Sequence, residues 1–291
     1  MPRIPASKLP DWIAGTIADF CATSPANSLT GNGGEPAWGT PLVGFSRGDD
    51  PYYPRFKADI GPFLWPPEEA FALGWPDASA AADELTVISW VLPQTTATLA
   101  DQRAETELPA ERWSRSRHFG EGFNEALRRH LVEALGRVGI AAVAPALLPG
   151  FAYRMSERFW LASNWSERHV AFVSGLGTFG LSDGLITPVG KAMRCGSVVA
   201  RVDLPPTPRR YSSHQAWCLY YARGTCRACA RRCPADAISE AGHDKQKCHA
   251  YLREVTAVHA KAALGVEVTP CGLCQVKIPC EREIPLFPRN E

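Results

Sequence analysis

The sequence lacks the features that would place it in a membrane or on a nucleic acid. No apolar run approaches the ~20 residues that a membrane-spanning helix needs. The net charge is only +1 over 291 residues, which argues against a strongly basic nucleic-acid binder. The first seven residues, Met1–Ser7, contain no apolar stretch of the kind that directs secretion. These absences favour a cytoplasmic protein with no membrane partner.

Cysteine is also nearly absent from most of the chain, because the first 194 residues contain only Cys21. Eight of the ten cysteines then fall within the last 74 residues. In a cytoplasmic protein such a concentration predicts metal ligands before disulfides. The two outside this group, Cys21 and Cys195, lie in helix and strand patterns, which predicts buried and unreactive thiols.

The eight clustered cysteines form two groups of four. Cys226-x-x-Cys229-x-x-x-Cys233-Pro234 is typical of the end of the bacterial ferredoxin motif, whose last cysteine binds the other cluster of a two-cluster protein. The spacing therefore predicts two [4Fe-4S] clusters with crossed ligands. The first would be bound by Cys218, Cys226, Cys229 and Cys280, and the second by Cys233, Cys248, Cys271 and Cys274.

One ligand of the first cluster is displaced from its usual place. The motif normally has a cysteine three residues before Cys226, where this chain has Arg223. Cys218 is then the available substitute. If Cys218 cannot reach, the first cluster would be three-iron, water-ligated or absent.

Zinc is the alternative metal for the same residues. The pairs Cys226/Cys229 and Cys271/Cys274 have the spacing of a single tetrahedral zinc site, and the chain would then be a zinc-stapled structural protein. Zinc would leave the other four clustered cysteines unexplained and would give Pro234 no role. The ligand count therefore favours two clusters.

The region before the cysteines alternates helix and strand patterns. Residues 7–21 and 120–137 carry the apolar stripe of amphipathic helices, and Leu85–Leu92 has the composition of a buried central strand. Residues 184–187 and 196–202 have strand patterns, which we expect to pair with each other across the intervening turn.

This alternation predicts an α/β or α+β layered core over residues 1–205. An N-terminal arm at about 24–80 is rich in glycine, proline and aromatics and is expected to be irregular apart from a short helix at 68–73. A proline-rich linker follows the core, and the cysteine-rich domain then covers residues 206–291.

A glycine motif lies inside the core. Gly175-Leu-Gly-Thr-Phe-Gly180 matches the spacing of a dinucleotide-binding loop, but such a loop follows a strand and opens a helix. Here residues 166–173 have a helical pattern and a turn follows at 181–184, so the context argues against nicotinamide binding. The glycines still indicate a close approach of the backbone to a ligand or a packed neighbour.

Together these motifs resemble the epoxyqueuosine reductase family, relatives of the respiratory reductive dehalogenases. The similarity extends from about residue 85 to residue 285 and is specific in three places. They are Glu167-Arg168 with the glycine motif and Leu185–Pro188, then Cys226–Ala237, and then Cys248–Tyr251 with Cys271–Gln275.

That resemblance implies a nitroreductase-like α/β core that binds cobalamin, followed by a ferredoxin-like domain with two [4Fe-4S] clusters. Single electrons would pass from reduced ferredoxin or flavodoxin, through the clusters, to the cobalamin or a substrate. The substrate would be a small molecule or a modified nucleoside, with tRNA less favoured. The residues that match the family's cofactor site are Arg168, Gly175, Gly177, Gly180, Ser182 and Thr187.

The acidic proton donor of that family has no direct counterpart in this chain. Its position aligns with Gly122, so the neighbouring Glu121 is the candidate catalytic acid; the simpler interpretation of Glu121 is a charge in the first turn of a helix. The Lys-Asn pair that follows the family's glycine motif is replaced by Leu181-Ser182. The chain is thus identified as a divergent member of the family. The alternative is a non-catalytic electron-transfer or cofactor-binding iron–sulfur protein.

Overall fold

The computed structural model describes residues 4–286. The helices and strands that precede the cysteine-rich region are short, apart from one long helix. In chain order they are α1 (Leu9–Thr23), β1 (Leu42–Arg47), α2 (Tyr52–Ile60), α3 (Pro67–Gly74), β2 (Leu85–Pro93), α4 (Thr96–Ala104), α5 (Glu111–Arg137), β3 (Ala142–Val143), β4 (Tyr153–Ser156), β5 (Trp160–Ser163), α6 (Glu167–Val173), β6 (Thr178–Phe179), β7 (Leu185–Ile186) and β8 (Met193–Arg201).

Four of these strands form an antiparallel sheet in the order β1-β2-β8-β3. Alternate residues of β2 join two different apolar cores, with Ile88 and Trp90 in one and Val87 and Val91 in the other. All four side chains are fully buried, because helices cover both faces of the sheet. The apolar, β-branched run at 85–92 is therefore the central strand that the sequence predicts.

Helices α1 and α5 cover one face of the sheet. Their apolar stripes, which include Ile13 of α1 and Leu127 of α5, share a core with β2 and β8. Helices α3 and α6 cover the other face through Phe71 and Phe172. The mixed α/β core predicted from the sequence is confirmed in this arrangement of helix, sheet and helix.

The strand pairing predicted for residues 184–187 and 196–202 is wrong. β7 pairs instead with β6 in a separate two-stranded ladder, and β8 pairs with β2 along its whole length. A strand as short as β7 offers few ladder hydrogen bonds, whereas β2 gives β8 nine paired residues and a buried face on each side. The longer partner therefore determines where β8 lies.

Two other sequence expectations need correction. The helix expected at 120–137 in fact begins at Glu111. The prediction missed its first turns because their many charged residues obscure the apolar stripe. The arm at 24–80 contains β1 and α2 in addition to the predicted short helix, which spans Pro67–Gly74. Both added elements are short and bounded by proline or glycine, so their periodicity is weak.

The cysteine-rich region consists of short helices joined by loops and packs directly on the core. Gln102 of α4 donates to the carbonyl oxygen of Cys271 at 2.8 Å, and Arg103 forms an ion pair with Glu281. The linker is also attached, since Thr207 donates its N–H to Phe45 of the edge strand β1 at 2.9 Å. The elements are α7 (Leu219–Arg223), α8 (Ala228–Arg231), β9 (Ile238–Ser239), β10 (Gly242–His243), α9 (Lys245–Tyr251) and α10 (Ala257–Leu264).

The division into domains at residues 205 and 206 stays a prediction, as does the ferredoxin-like character of the second part. Among the helices described within residues 4–286, none combines the length and the apolar character that crossing a bilayer would need.

Candidate metal site and the adjoining arginine group

The first group of cysteines lines one cavity. Cys218, Cys226, Cys229 and Cys280 all border a small cavity that opens partly to solvent. Lys191 and several apolar side chains complete its wall. The structure thus brings together the four residues predicted to bind the first cluster.

Helix α7 explains how the displaced Cys218 reaches this cavity. Cys218 immediately precedes α7, and the helix ends at Gly224, which has φ +66°. This left-handed conformation suits glycine and turns the chain back towards Cys226. The extra residues between the two cysteines are therefore taken up by one short helix.

The second group of cysteines also converges. The charge of Cys271 interacts with those of Cys274, Cys248 and Cys233. The Sγ atom of Cys233 accepts a hydrogen bond from the backbone N–H of Ala237 at 3.3 Å. The four residues predicted to bind the second cluster thus lie near one another, and the charge of Cys274 also acts on Cys229 of the first group. The assignment of each cysteine to one cluster stays a prediction.

Burial raises the pKa of thiols in both groups, to about 12 for Cys248 and Cys271 and to about 11 for Cys280. Thiols in such surroundings remain protonated unless a positive partner stabilises the thiolate. A metal centre is such a partner, because metal ions bind the deprotonated form.

Two buried N–H donors beside the second group have no hydrogen-bond partner among the described residues. They are Nε1 of Trp113, whose ring lies against Gly272, and Nε of Arg232, the neighbour of Cys233. Leaving a buried donor unpaired costs ~1–3 kcal/mol, so such groups normally meet an acceptor. Cluster sulfurs are acceptors of N–H hydrogen bonds, and the residues present fit a cluster at this place.

The structure shows no single-ion site among the described residues. Within residues 4–286, no three His, Cys, Asp or Glu side chains are arranged to hold one metal ion. Tetrahedral zinc needs every ligand within ~2.3 Å of one ion, whereas each thiolate of a four-iron cluster binds a different iron. The zinc alternative gains no support from this geometry, and the clusters themselves stay a prediction.

A buried lysine lies between the two groups. Lys191 is 2% exposed, and its Nζ donates to Oγ of Ser182, whose hydroxyl in turn bonds to the sulfur of Cys274. Burial lowers the pKa of Lys191, but the charges of Cys280 and Cys274 are the first of several cysteine charges that together outweigh it, so the pKa is raised. Ser182, a predicted cofactor residue, therefore contacts the cysteine groups through its hydroxyl.

On the core side, several arginines surround Glu121. Arg194 and Arg128 each donate to one oxygen of the Glu121 carboxylate, and Arg128 also donates to Glu167 at 2.9 Å. Burial alone would raise the pKa of Glu121, but the charges of Arg194 and Arg128 hold it below its ordinary value. A carboxylate bound in this way is a poor proton donor, and the catalytic role predicted for Glu121 stays a prediction.

Arg117 lies one turn before Glu121 on α5, and the Glu121 charge acts on it without a direct ion pair. Within the described part of the chain its guanidinium makes no hydrogen bond or ion pair. The charge of Arg194 and burial lower the pKa of Arg117 to about 9. An anion beside this guanidinium would offset the repulsion from Arg194.

Arg168 connects this arginine group with the second cysteine group. Its charge interacts with that of Arg117 on one side and with that of Cys248 on the other. Its side chain is exposed, and one guanidinium N–H donates to the carbonyl oxygen of Asp183 at 2.6 Å. An acceptor bound among the arginines would therefore lie near the cysteines predicted to bind the second cluster.

The glycines of the Gly175–Gly180 motif mostly approach protein backbone. A Cβ on Gly175 would lie 3.1 Å from the carbonyl oxygen of Thr207, and one on Gly177 would lie 2.5 Å from that of Ile186. Gly180 differs, because it lines the cavity of the first cysteine group. Thr187 donates to the carbonyl oxygen of Gly190 at 2.6 Å and so closes the turn before β8. The cofactor roles predicted for these residues stay predictions, and close packing already explains Gly175 and Gly177.

No protein-family model and no curated protein matches this chain. Solved structures do match it. An epoxyqueuosine reductase from Bacillus subtilis, described with its catalytic loop swung out of the active site, is 15% identical with a TM-score of 0.53 and covers 98% of this chain and 68% of its own length. A catabolic reductive dehalogenase is 17% identical with a TM-score of 0.52 over 84% of this chain and 30% of its own. An epoxyqueuosine reductase solved with a tRNA stem loop is 15% identical with a TM-score of 0.50.

These likenesses show the fold. The chain shares the fold of epoxyqueuosine reductases and reductive dehalogenases, and the resemblance to a divergent member of that family, inferred from its motifs, is confirmed at this level. The chain spans less than a third of the dehalogenase and about two thirds of the reductase.

Sequence reasoning missed four residues of this site: Trp113, Arg117, Lys191 and Arg194. Trp113 and Arg117 lie in the part of α5 that the helix prediction omitted. The sequence signal available for Lys191 was its position between apolar residues, directly before the strand pattern of β8. Only the fold shows that these side chains meet the cysteines and Glu121.

Proposed function

We propose that this chain is an iron–sulfur oxidoreductase that passes single electrons from two [4Fe-4S] clusters to a cobalamin-like cofactor or a substrate in the core. The observation that carries the proposal is that Cys218, Cys226, Cys229 and Cys280 border one cavity while the charges of the other four clustered cysteines act on one another. Their spacing along the chain is typical of two-cluster ferredoxins. The shared fold with two kinds of reductase supports the same reaction class. The clusters would supply one-electron transfer.

The arginine group is the proposed place of the acceptor. Arg117 forms no ion pair within the described residues and the charge of Arg168 acts on both Arg117 and Cys248, so a molecule bound by both arginines would lie towards the second cysteine group. An acceptor with a phosphate or carboxylate fits this charge, which includes cobalamin with its phosphodiester, a small organic acid or a modified nucleotide. Glu121 and Glu167 would hold the arginines in position.

The proposed electron donor is reduced ferredoxin or flavodoxin. Arg223, Arg227 and Arg231 are exposed close to the first cysteine group, and they offer a basic surface for an acidic donor. We expect the rate of reduction by flavodoxin to fall as salt is raised from low to physiological ionic strength. A rate independent of salt would contradict this docking surface.

Protein purified without oxygen tests the clusters. We expect about eight irons per chain, broad absorption near ~400 nm and, after reduction, the electron paramagnetic resonance signals of two interacting [4Fe-4S] clusters. A colourless protein with stoichiometric zinc and no iron would overturn the proposal and establish the structural alternative.

Binding of cob(II)alamin tests the acceptor. We expect its absorption spectrum to change on titration with the wild-type protein and the affinity to fall at least tenfold in Arg117→Gln. The matched control is Arg115→Gln on the same helix, whose arginine is already paired with Glu111. No spectral change with the wild type would exclude cobalamin.

A non-catalytic electron carrier is the second candidate. The observation in its favour is Gly122, which lies on an uninterrupted helix and is exposed where the related reductases are expected to have an acid. Reduction of cob(II)alamin by the loaded protein at a rate no greater than that in free solution would favour this candidate.

A further inference from the structure

Lys191 is a buried cation with no carboxylate partner among the described residues. Its side chain is 2% exposed, and Ser182 is its hydrogen-bond partner. Among the described residues, no carboxylate forms an ion pair with it. The chain nevertheless makes room for it, since a Cβ on Gly184 would lie 2.3 Å from Cε of Lys191.

Burying an ammonium group without a counter-charge costs several kcal/mol. Such a group is retained where an anion meets it. The cavity that Lys191 lines is bordered by Cys218, Cys226, Cys229 and Cys280, and the backbone N–H of Lys191 donates to the carbonyl oxygen of Cys280 at 2.9 Å. Four thiolates around an oxidised four-iron cluster give a net charge of about −2 by formal count.

We propose that Lys191 is a fixed positive charge, contributed by the core, that stabilises the reduced state of the first cluster. The inference rests on the proposed clusters and adds to them a positioning residue that the cysteine motif does not contain. Each added electron makes a cluster more negative, so a nearby ammonium raises the reduction potential. Removing it makes the cluster harder to reduce.

Lys191 acts more weakly on the second cluster. It lines the cavity of the first group and its backbone N–H donates to the carbonyl oxygen of Cys280, whereas Cys274 is its link to the second group. Ser182 connects Nζ to that same sulfur. The lysine thus lies between the groups and nearer the first, where it favours an electron waiting on the first cluster before transfer to the second.

The test is a redox titration of the full chain, followed by electron paramagnetic resonance, in Lys191→Met and the wild type. We expect the ratio of oxidised to reduced first cluster to rise at least tenfold at a given potential, which is a shift of at least 59 mV to the negative. The second cluster should shift less. The control is Lys261→Met, which removes an exposed charge on α10, paired with Glu267, and should leave both potentials unchanged.

Iron content separates the possible failures. A wild-type protein without iron would overturn the proposed clusters, whereas eight irons with unshifted potentials in Lys191→Met would overturn the role of Lys191 alone. If Lys191→Met does not fold, Lys191→Gln and Lys191→Arg form the replacement pair. Lys191→Gln must shift the reduction potential of the first cluster, and Lys191→Arg, which keeps the charge, must leave it unchanged. Equal potentials in the two variants would contradict the proposal.

Discussion

Gly272 lies where the cysteine loop meets helix α5. Its φ is +68°, and a Cβ there would lie 2.0 Å from the ring of Trp113. Glycine is needed at this position for two reasons. The backbone conformation favours it, and the indole of Trp113 occupies the space that any side chain would fill. The close approach also places the unpaired Nε1 of Trp113 beside the second cysteine group.

We expect Gly272→Ala to destabilise the protein by about 2–4 kcal/mol, because overpacking adds to the strain of positive φ. Gly265→Ala is the matched control, since Gly265 has φ +66° but nothing within 4 Å of its Cβ position. Its cost should be limited to about 1 kcal/mol of backbone strain. Urea unfolding of both variants under anaerobic conditions measures the difference, and equal losses would show that Trp113 moves aside.

Glu121 was the candidate catalytic acid, but two arginines bind its carboxylate. Its role is therefore either to donate a proton or to position those arginines. If Glu121 positions Arg194 and Arg128, Glu121→Gln should weaken binding of an anionic acceptor less than Arg117→Gln does. It should also leave the pH dependence of turnover unchanged. A loss in Glu121→Gln of the basic limb of the pH–rate profile, where the rate falls as a proton donor is deprotonated, would instead identify Glu121 as the proton donor.

At the scale of the elements, helix α5 carries residues of both the core and the site. Gly120 and Gly122 lie on it two residues apart, in opposite environments. A Cβ on Gly120 would lie 2.6 Å from Nε1 of Trp38, whereas one on Gly122 would meet nothing within 4 Å. The first glycine is required by packing, and the second lowers helix stability with no compensating contact.

We therefore expect substitutions at these two glycines to have opposite signs. Gly122→Ala should stabilise the protein by about 0.5–1 kcal/mol, because alanine is the better helix former. Gly120→Ala should destabilise it by about 1–3 kcal/mol, because Trp38 must move and its hydrogen bond to the Gly120 carbonyl is disturbed. Thermal unfolding compares the two directly, and a loss of stability in Gly122→Ala would indicate that the open face of α5 is covered in solution.

Helix α6 contains a buried histidine, His169, that should make the stability of the protein depend on pH. His169 packs between Phe56 and Phe179 and hydrogen-bonds to Ser166 at 2.7 Å. Burial lowers its pKa to about 3, so the native state keeps it neutral while the unfolded chain protonates it below pH ~6.5. A lowered pKa of this kind gives no effect above pH ~6.5 and a loss of stability as the pH falls below it.

The expected loss is about 1.4 kcal/mol per pH unit between pH ~6.5 and the folded pKa. His169→Phe keeps an aromatic ring between Phe56 and Phe179 but removes the titrating group. The difference between the unfolding free energies of the two proteins should therefore change with this slope below pH 6 and be constant above pH 7. A pH-independent difference would show that His169 is hydrated in the folded protein.

The sequence predicted the elements whose periodicity is long and unbroken. β2 and α1 are of this kind. β1 and α2 were missed because proline and glycine interrupt their patterns, and β7 was paired wrongly because two residues carry little register information. Lys191 and Trp113 were missed for another reason, since their role depends on contacts with residues 27 or more positions away, which no local pattern encodes.

At the scale of the whole molecule, the core and the cysteine-rich region depend on each other. The core contributes Lys191, Gln102 and Trp113 to the surroundings of the cysteines, and the cysteine-rich region returns Glu281 to Arg103. Because Lys191 has no carboxylate partner among the described residues, its effect on stability should change sign with the occupancy of the cysteine groups.

With iron present, we expect Lys191→Met to destabilise the protein by on the order of 3 kcal/mol, since the cluster loses its buried counter-ion. After removal of iron by a chelator, the same substitution should stabilise it, because an uncompensated buried ammonium is replaced by an apolar side chain of similar length. Urea unfolding of the wild type and of Lys191→Met, each with and without iron, measures the four free energies that this comparison needs. A penalty of equal size with and without iron would mean that Lys191 stabilises the fold through its packing, and its charge would then have no part in holding the two halves of the protein together.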